Sequence, residues 1–213
     1  PILAAAELTR LNYPQNIFPS EVPEFAIATV AAYRTLEAAG IQILRAIALY
    51  LQLEENYFDR QVKLGNSILR PIHYFPLNNP QAIPADAVRA AAHGDINLIT
   101  LLMGASAAGL EILRQDGKWI PVTALPNQIV VNVGDMLARL TNNKLRSTIH
   151  RVVNPPKGFW DTPRYSIPFF MHPVSEMDLS CLPECIDDQH PQEFDDITAG
   201  EFLRQRLREI GLI

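Results

Sequence analysis

Residues 96–133 read INLITLLMGASAAGLEILRQDGKWIPVTALPNQIVVNV. Short apolar runs at 96–103, 110–113, 118–121 and 129–133 alternate with segments of Gly, Ala, Pro, Asn and Asp. Runs this short, bounded by turn residues, read as β-strands rather than helices. Asp116-Gly117, lying between two of them, is a strong hairpin signal, because a tight turn needs residues tolerant of positive φ. The same texture continues upstream at 68–75 and downstream at 148–153 and 164–171. Strands at this spacing predict a β-sandwich or barrel of the jelly-roll kind, mainly β in class.

The flanks differ. Residues 20 to about 62 read as helix: Ser20 can cap, Pro23 is tolerated in a first turn, and Glu21 and Glu24 suit the positive helix end. Val30, Tyr33, Leu36, Leu44, Ile47 and Leu51 recur at helical spacing, with Gly40 on the same stripe, and a second short helix is expected over 54–62. The small residues around the stripe suit close packing against a broad surface. At the other end, Thr198 and Glu201 form a capping box, Ile197 and Phe202 can form a staple, and Leu203, Leu207 and Ile210 line one face. Helical support over 1–63, a jelly-roll core over 64–175 and a C-terminal loop and helix over 176–213 make one domain.

Composition limits the partners. The chain has 213 residues, 48% hydrophobic and 19% charged, enough for a full core and too apolar for a disordered tail. A net charge of −5 with no basic stripe argues against nucleic acid as a partner. No apolar run approaches the length of a membrane span. The two cysteines, Cys181 and Cys185, are too close to form a useful disulfide and too few for a four-sulfur metal site. They read as free thiols of a cytoplasmic protein. The chain opens on Pro1 rather than Met, which suggests that residues are missing ahead of it.

Histidine is scarce, with His73, His93, His150, His172 and His190 the only five. His93 and Asp95 stand two apart, so on extended backbone both point to one side. A second imidazole from a later strand would complete a set of two His and one carboxylate, which leaves positions open for a co-substrate and oxygen on iron(II). A His-x-Asp pair is weak alone. It gains weight from Arg164-Tyr165-Ser166, where alternation puts Arg164 and Ser166 on one face as a guanidinium and hydroxyl socket for a carboxylate. His150 lies on the preceding candidate strand.

Six ordered strings carry a resemblance: His93-Gly94-Asp95, Ile99-Thr100-Leu101-Leu102, Asp116 to Val122, Val131-Asn132-Val133-Gly134-Asp135, His150-Arg151-Val152 and Arg164-Tyr165-Ser166. Over residues 66–173 the sequence resembles the isopenicillin N synthase-like iron(II)/2-oxoglutarate-dependent oxygenases. The resemblance implies a double-stranded β-helix, His93, Asp95 and His150 as iron ligands, and Arg164 and Ser166 on the distal carboxylate of 2-oxoglutarate. It also implies O2 as co-substrate, with hydroxylation or desaturation of a small organic molecule and release of succinate and CO2. The family's polar string ahead of the first ligand is here His73-Tyr74-Phe75-Pro76, making His73 and Tyr74 candidate co-substrate contacts. Oligomeric state and the identity of the substrate have no signature in the sequence.

Three alternatives stay open. One is an oxidase of the same family that needs no 2-oxoglutarate, another a zinc hydrolase, and the third a catalytically silent β-barrel that binds without reacting. Several polar residues read as structural: Asp135 as a turn carboxylate partnered by Arg151, Trp119 as core, His172 as a satisfied residue at a strand end, and His190 as solvated beside Asp187 and Asp188.

Overall fold

The computed structural model describes residues 13–77, 83–84, 86–123, 125 and 127–213. It divides into two compact units, Pro1–Thr35 and Leu36–Ile213. Helix α1, Pro23–Tyr50, passes from one unit into the other. In the first unit its opening turns are solvated, with Ile27 73% exposed, and Thr29 and Thr35 bond back to the carbonyls of Phe25 and Ala31. It starts at Pro23, so Ser20 lies outside it, and the expected second helix shortens to α2, Asp59–Val62.

The second unit carries two antiparallel sheets. Its strands are β1 (Ile68–Leu69), β2 (Ile72–Tyr74), β3 (Ala90–His93), β4 (Ile99–Met103), β5 (Leu110–Leu113), β6 (Trp119–Pro121), β7 (Ile129–Val133), β8 (His150–Val152) and β9 (Arg164–Met171). The larger sheet runs β1-β9-β4-β7, with β2 also on β9, and the smaller runs β3-β8-β5-β6. This is the double-stranded β-helix. Every expected strand is present, but 68–75 divides into β1 and β2 at Arg70-Pro71, where a proline cannot donate to the ladder. Among the described residues, the elements beyond the expected set include β3, in an alanine run with little strand propensity, and helix α3, Asp135–Leu140.

Strand register sorts the larger sheet into two faces, since directly paired residues share a side. Ile99 pairs Met171, and Leu101 pairs Phe169; all four are wholly buried on the outer face. Leu36, Gly40, Leu44 and Ala48 make the buried stripe of α1 in this unit. Gly40 suits this close approach, because a Cβ would stand 2.5 Å from Met171 Sδ and the thioether would have to move. The opposite, inner face carries the rows Thr100–Asn132–Phe170, Ile72–Ser166 and Tyr74–Arg164. Helix α4, Ala199–Glu209, opens on the expected capping box of Thr198 and Glu201, burying Phe202 rather than Ile210. Cys181 and Cys185 are free and buried. Among the described residues no helix is long and apolar enough to cross a membrane.

Candidate metal centre

His93 closes β3 and His150 opens β8, and the two are directly paired across the smaller sheet. Their ring centroids are 4.4 Å apart. Asp95 follows in the turn after β3, only 6% exposed. One ligand atom from each of His93, Asp95 and His150 lies within 4.8 Å of the others.

Each donor is held so that one atom stays free. His93 Nδ1 is 2.7 Å from the Ala91 carbonyl and His150 Nδ1 is 3.0 Å from the Thr148 carbonyl. A carbonyl only accepts, so each Nδ1 carries the proton and each Nε2 keeps its lone pair, as metal-binding imidazoles require. Asp95 Oδ2 accepts from Thr100 Oγ1 at 2.6 Å and from Asn132 Nδ2 at 2.8 Å. Its Oδ1 is left facing His150 Nε2 at 3.8 Å. Two imidazoles presenting Nε2 and one carboxylate oxygen fit a divalent first-row metal, which these three groups would hold while leaving positions for further ligands.

The polar row continues behind Asp95. Asn97 Nδ2 donates to Thr100 Oγ1 at 3.0 Å, so the Thr100 hydroxyl accepts one bond and gives its proton to Asp95. The backbone N–H of Asp135 donates to the Asp95 carbonyl at 2.7 Å, fixing α3 to the ligand turn. Gly134 permits that approach, because a Cβ there would collide with the Asn97 carbonyl oxygen. Asn132, Thr100 and Asn97 escape sequence reasoning, although a polar residue interrupting an apolar strand was an available signal for the first two.

Arg164 is the second unusual group. It is the largest of the fully enclosed side chains, 1% exposed, and burial lowers its pKa from the usual arginine range. Its Nε donates to the Ala107 carbonyl at 3.1 Å, while its buried Nη1 has no partner. It borders a cavity of about 240 Å³ with Leu102, Ser106, Leu110 and Val130. An enclosed guanidinium with a spare N–H and an adjoining cavity fits a carboxylate. Ser166 shares its face and is 5% exposed, and the Tyr74 ring lies 5.1 Å from the guanidinium carbon.

The sheet thus groups His93, Asp95 and His150 in one cluster, and Arg164, Ser166 and Tyr74 on one face. It places His73 on the other face, exposed and stacked on Tyr165 at 4.6 Å. Asp135 is not a turn carboxylate bound to Arg151. It begins α3 and faces Arg206 at 3.7 Å, whereas Arg151, opposite Glu111 in the β5–β8 ladder, pairs with it at 2.7 Å. Trp119 is half-buried under the Arg151 guanidinium, 4.0 Å from its ring centroid. His172 is 7% exposed but unsatisfied, since its Nδ1 has no partner. His190 is exposed, with Asp187 at 3.0 Å.

Residues 65–173 match the family model of the 2OG-Fe(II) oxygenase superfamily. The chain belongs to that superfamily. A 2OG-Fe(II) oxygenase relative from Emericella nidulans, the 2-oxoglutarate-Fe(II) type oxidoreductase hxnY, is 32% identical over 205 residues, which is 94% of this chain and 57% of the relative. A Caulobacter crescentus crystal structure assigned to the same oxygenase family superposes with a TM-score of 0.87 at 48% identity, covering 98% of this chain and 67% of that one. A full-length Neurospora crassa protein crystallised in complex with alpha-KG and thymine superposes at 0.83 with 34% identity, over 93% and 60% of the two chains. The chain spans between half and about three-fifths of the length of the curated relatives it matches, at 50% and 57% for two of them.

Proposed function

We propose that the protein is an iron(II)- and 2-oxoglutarate-dependent oxygenase that hydroxylates or desaturates a small organic substrate. For hydroxylation the balance is substrate C–H, 2-oxoglutarate and O2 giving substrate C–OH, succinate and CO2. The observation that carries this reading is the pairing of a metal-competent His93-Asp95-His150 cluster with the enclosed, under-bonded guanidinium of Arg164. Relatives named as 2-oxoglutarate-Fe(II) type oxidoreductases and the Neurospora crassa complex holding alpha-KG support it.

Iron(II) bound at His93, Asp95 and His150 would supply the oxygen-activating centre. The chain's own part is geometric. The Ala91 and Thr148 carbonyls orient the imidazoles, and Thr100 and Asn132 keep Asp95 to one free oxygen, so that the carboxylate occupies a single position. Arg164, with Ser166 beside it, would hold the far carboxylate of 2-oxoglutarate, and Tyr74 would wall that socket. We also place the protein in the isopenicillin N synthase-like branch, on its Arg164-Tyr165-Ser166 string, and read residues 64–175 as the catalytic core. The free thiols of Cys181 and Cys185 suit a cytoplasmic setting. The orphaned Nη1 of Arg164 favours this reading over an oxidase without 2-oxoglutarate, which would leave that buried cation uncompensated.

The test is an anaerobic titration of iron(II)-loaded protein with 2-oxoglutarate, followed by the visible metal-to-ligand charge-transfer band. The band is expected in the native chain, absent in His93→Ala and His150→Ala, and shifted at least about tenfold to higher 2-oxoglutarate in Arg164→Ala. A silent barrel gives no band in any of them.

A further inference from the structure

A second arginine approaches the same tyrosine as Arg164. Arg89 directly precedes β3, the strand that ends in His93, and its guanidinium carbon lies 5.9 Å from the centroid of the Tyr74 ring. Arg164 approaches the same ring at 5.1 Å. Two guanidinium groups therefore share one phenol as a common neighbour. Arg89 Nη2 donates to the Thr162 carbonyl at 3.3 Å, and its Nε is buried without a partner. Among the described residues neither arginine has a carboxylate within ion-pairing distance; several other arginines also lack one, but only Arg89 and Arg164 have a pKa lowered by burial.

The electrostatics make that absence informative. Burial lowers the Arg89 pKa, and the charge of Arg89 in turn lowers that of Arg164. Like charges that are partly desolvated together are unfavourable until anions neutralise them. On the proposed function, 2-oxoglutarate brings two carboxylates, one for the metal and one for Arg164. Both are then used, and Arg89 still has no counter-ion.

Resting on that function, we propose that Arg89 is the substrate anchor and that the substrate carries a carboxylate, which docks on Arg89 beside the Tyr74 ring. Tyr74 neighbours both guanidiniums, and on this proposal each takes its own carboxylate. The cavity beside Arg164 has an apolar and alanine-rich wall of Leu102, Ala105, Ala107, Ala108 and Val130, and Arg164 is the only charged group among the described residues lining it. The substrate class is thus a small organic acid.

The test uses the iron(II)- and 2-oxoglutarate-loaded chain, with perturbation of the visible band as readout. The probes are benzoate, cyclohexanecarboxylate and N-acetylalanine, each beside its primary amide. At least one acid is expected to bind about tenfold more tightly than its amide, a preference lost in Arg89→Gln and kept in large part in Arg89→Lys. The 2-oxoglutarate affinity of Arg89→Gln is expected within about twofold of the native value, unlike that of Arg164→Gln. The proposal is overturned if amides bind as well as acids, or if no acid perturbs the band. It is also overturned if Arg89→Gln weakens 2-oxoglutarate as much as Arg164→Gln, which would make both arginines one co-substrate socket. A native chain that gives no band with 2-oxoglutarate overturns instead the function on which the proposal rests.

Discussion

The two sheets of the β-helix bury themselves in opposite ways. In the larger one Ile99, Leu101, Phe169 and Met171 are all 0% exposed, and the strands pair in unbroken register from Ile99 to Met103. In the smaller one the strands have three or four residues, Leu113 is 37% exposed, and the β3–β8 pairing shifts register between Ala90 and His93. Yet the small sheet carries both imidazoles, and the large one carries the groups that hold Asp95 and the Arg164 socket. A rigid sheet fixes the carboxylate and the cation, while the two His ligands, on a looser sheet, are oriented by bonds to carbonyls two residues before them. Chemistry is divided between a deep, stiff half and a shallow half that can admit ligands from solvent.

The contrast is broken most directly by truncation. Phe169→Ala removes a fully enclosed ring from the centre of β9 and is expected to cost about 4 kcal/mol. Leu113→Ala on β5 is expected to cost under about 1 kcal/mol, since the side chain is already partly in water. Urea denaturation of the two variants beside the native chain measures both. Equal losses would show that the two sheets share one core.

The next effect is set by pH at the end of β9. His172 follows Met171, and burial, partly offset by the nearby Asp95 charge, depresses its pKa from 6.5 to about 4. A depressed folded-state pKa means that the unfolded chain takes up a proton first. The neutral ring's stability is therefore complete above pH 6.5 and is lost as pH falls toward 4. The slope is about 1.4 kcal/mol per pH unit, or about 3 kcal/mol across the window. Denaturation of metal-free protein at several pH values, with His172→Asn as comparison, isolates this contribution. The variant is expected to lose correspondingly less stability on acidification, and an identical loss would mean the ring is solvated after all.

Which half is readable from sequence follows from the same division. The strands β4, β7 and β9 of the larger sheet are mainly apolar runs between turn residues, so they stand out by texture alone. Strand β3 does not, because Ala90-Ala91-Ala92 has no strand preference of its own and becomes extended by pairing with β8. Helix α3 hides behind Gly134-Asp135, which reads as a turn until the Asp135 N–H is seen to bond the Asp95 carbonyl. The candidate metal ligands and the socket are legible chiefly through the resemblance carried by six ordered strings, since the His-x-Asp pair is weak alone. The Asn132 partner of Asp95 is not, since it meets the ligand, 37 positions away, only through pairing of β4 with β7. Sequence alone matches Arg151 to the wrong carboxylate for the same reason: its neighbour Glu111 is set by the β5–β8 ladder rather than by sequence distance. Arg89 belongs to no motif, and only its approach to Tyr74 singles it out.

Asn132→Ala sharpens the comparison with the smallest change. Asn132 sits on β7 directly opposite Thr100, and both donate to Asp95 Oδ2. Deleting one donor leaves the carboxylate held by Thr100 alone and free to rotate toward a two-oxygen contact. Removing a partner of a ligand side chain typically weakens metal binding by about 10–100-fold, or about 1.4–2.7 kcal/mol. Iron(II) affinity of the variant, measured anaerobically against a competing chelator, is expected to fall in that range with thermal stability little altered, because the side chain is half-buried and no cavity forms in the apolar layer. Asn132→Asp is expected to lose more, since it sets a second negative charge against Asp95 in place of a donor. If both variants bind iron as the native chain does, the large sheet does not fix the carboxylate, and the ligand turn after β3 holds Asp95 through its own backbone. In that event the two halves of the site would both be shallow, and the stiffness of the larger sheet would serve the Arg164 socket alone.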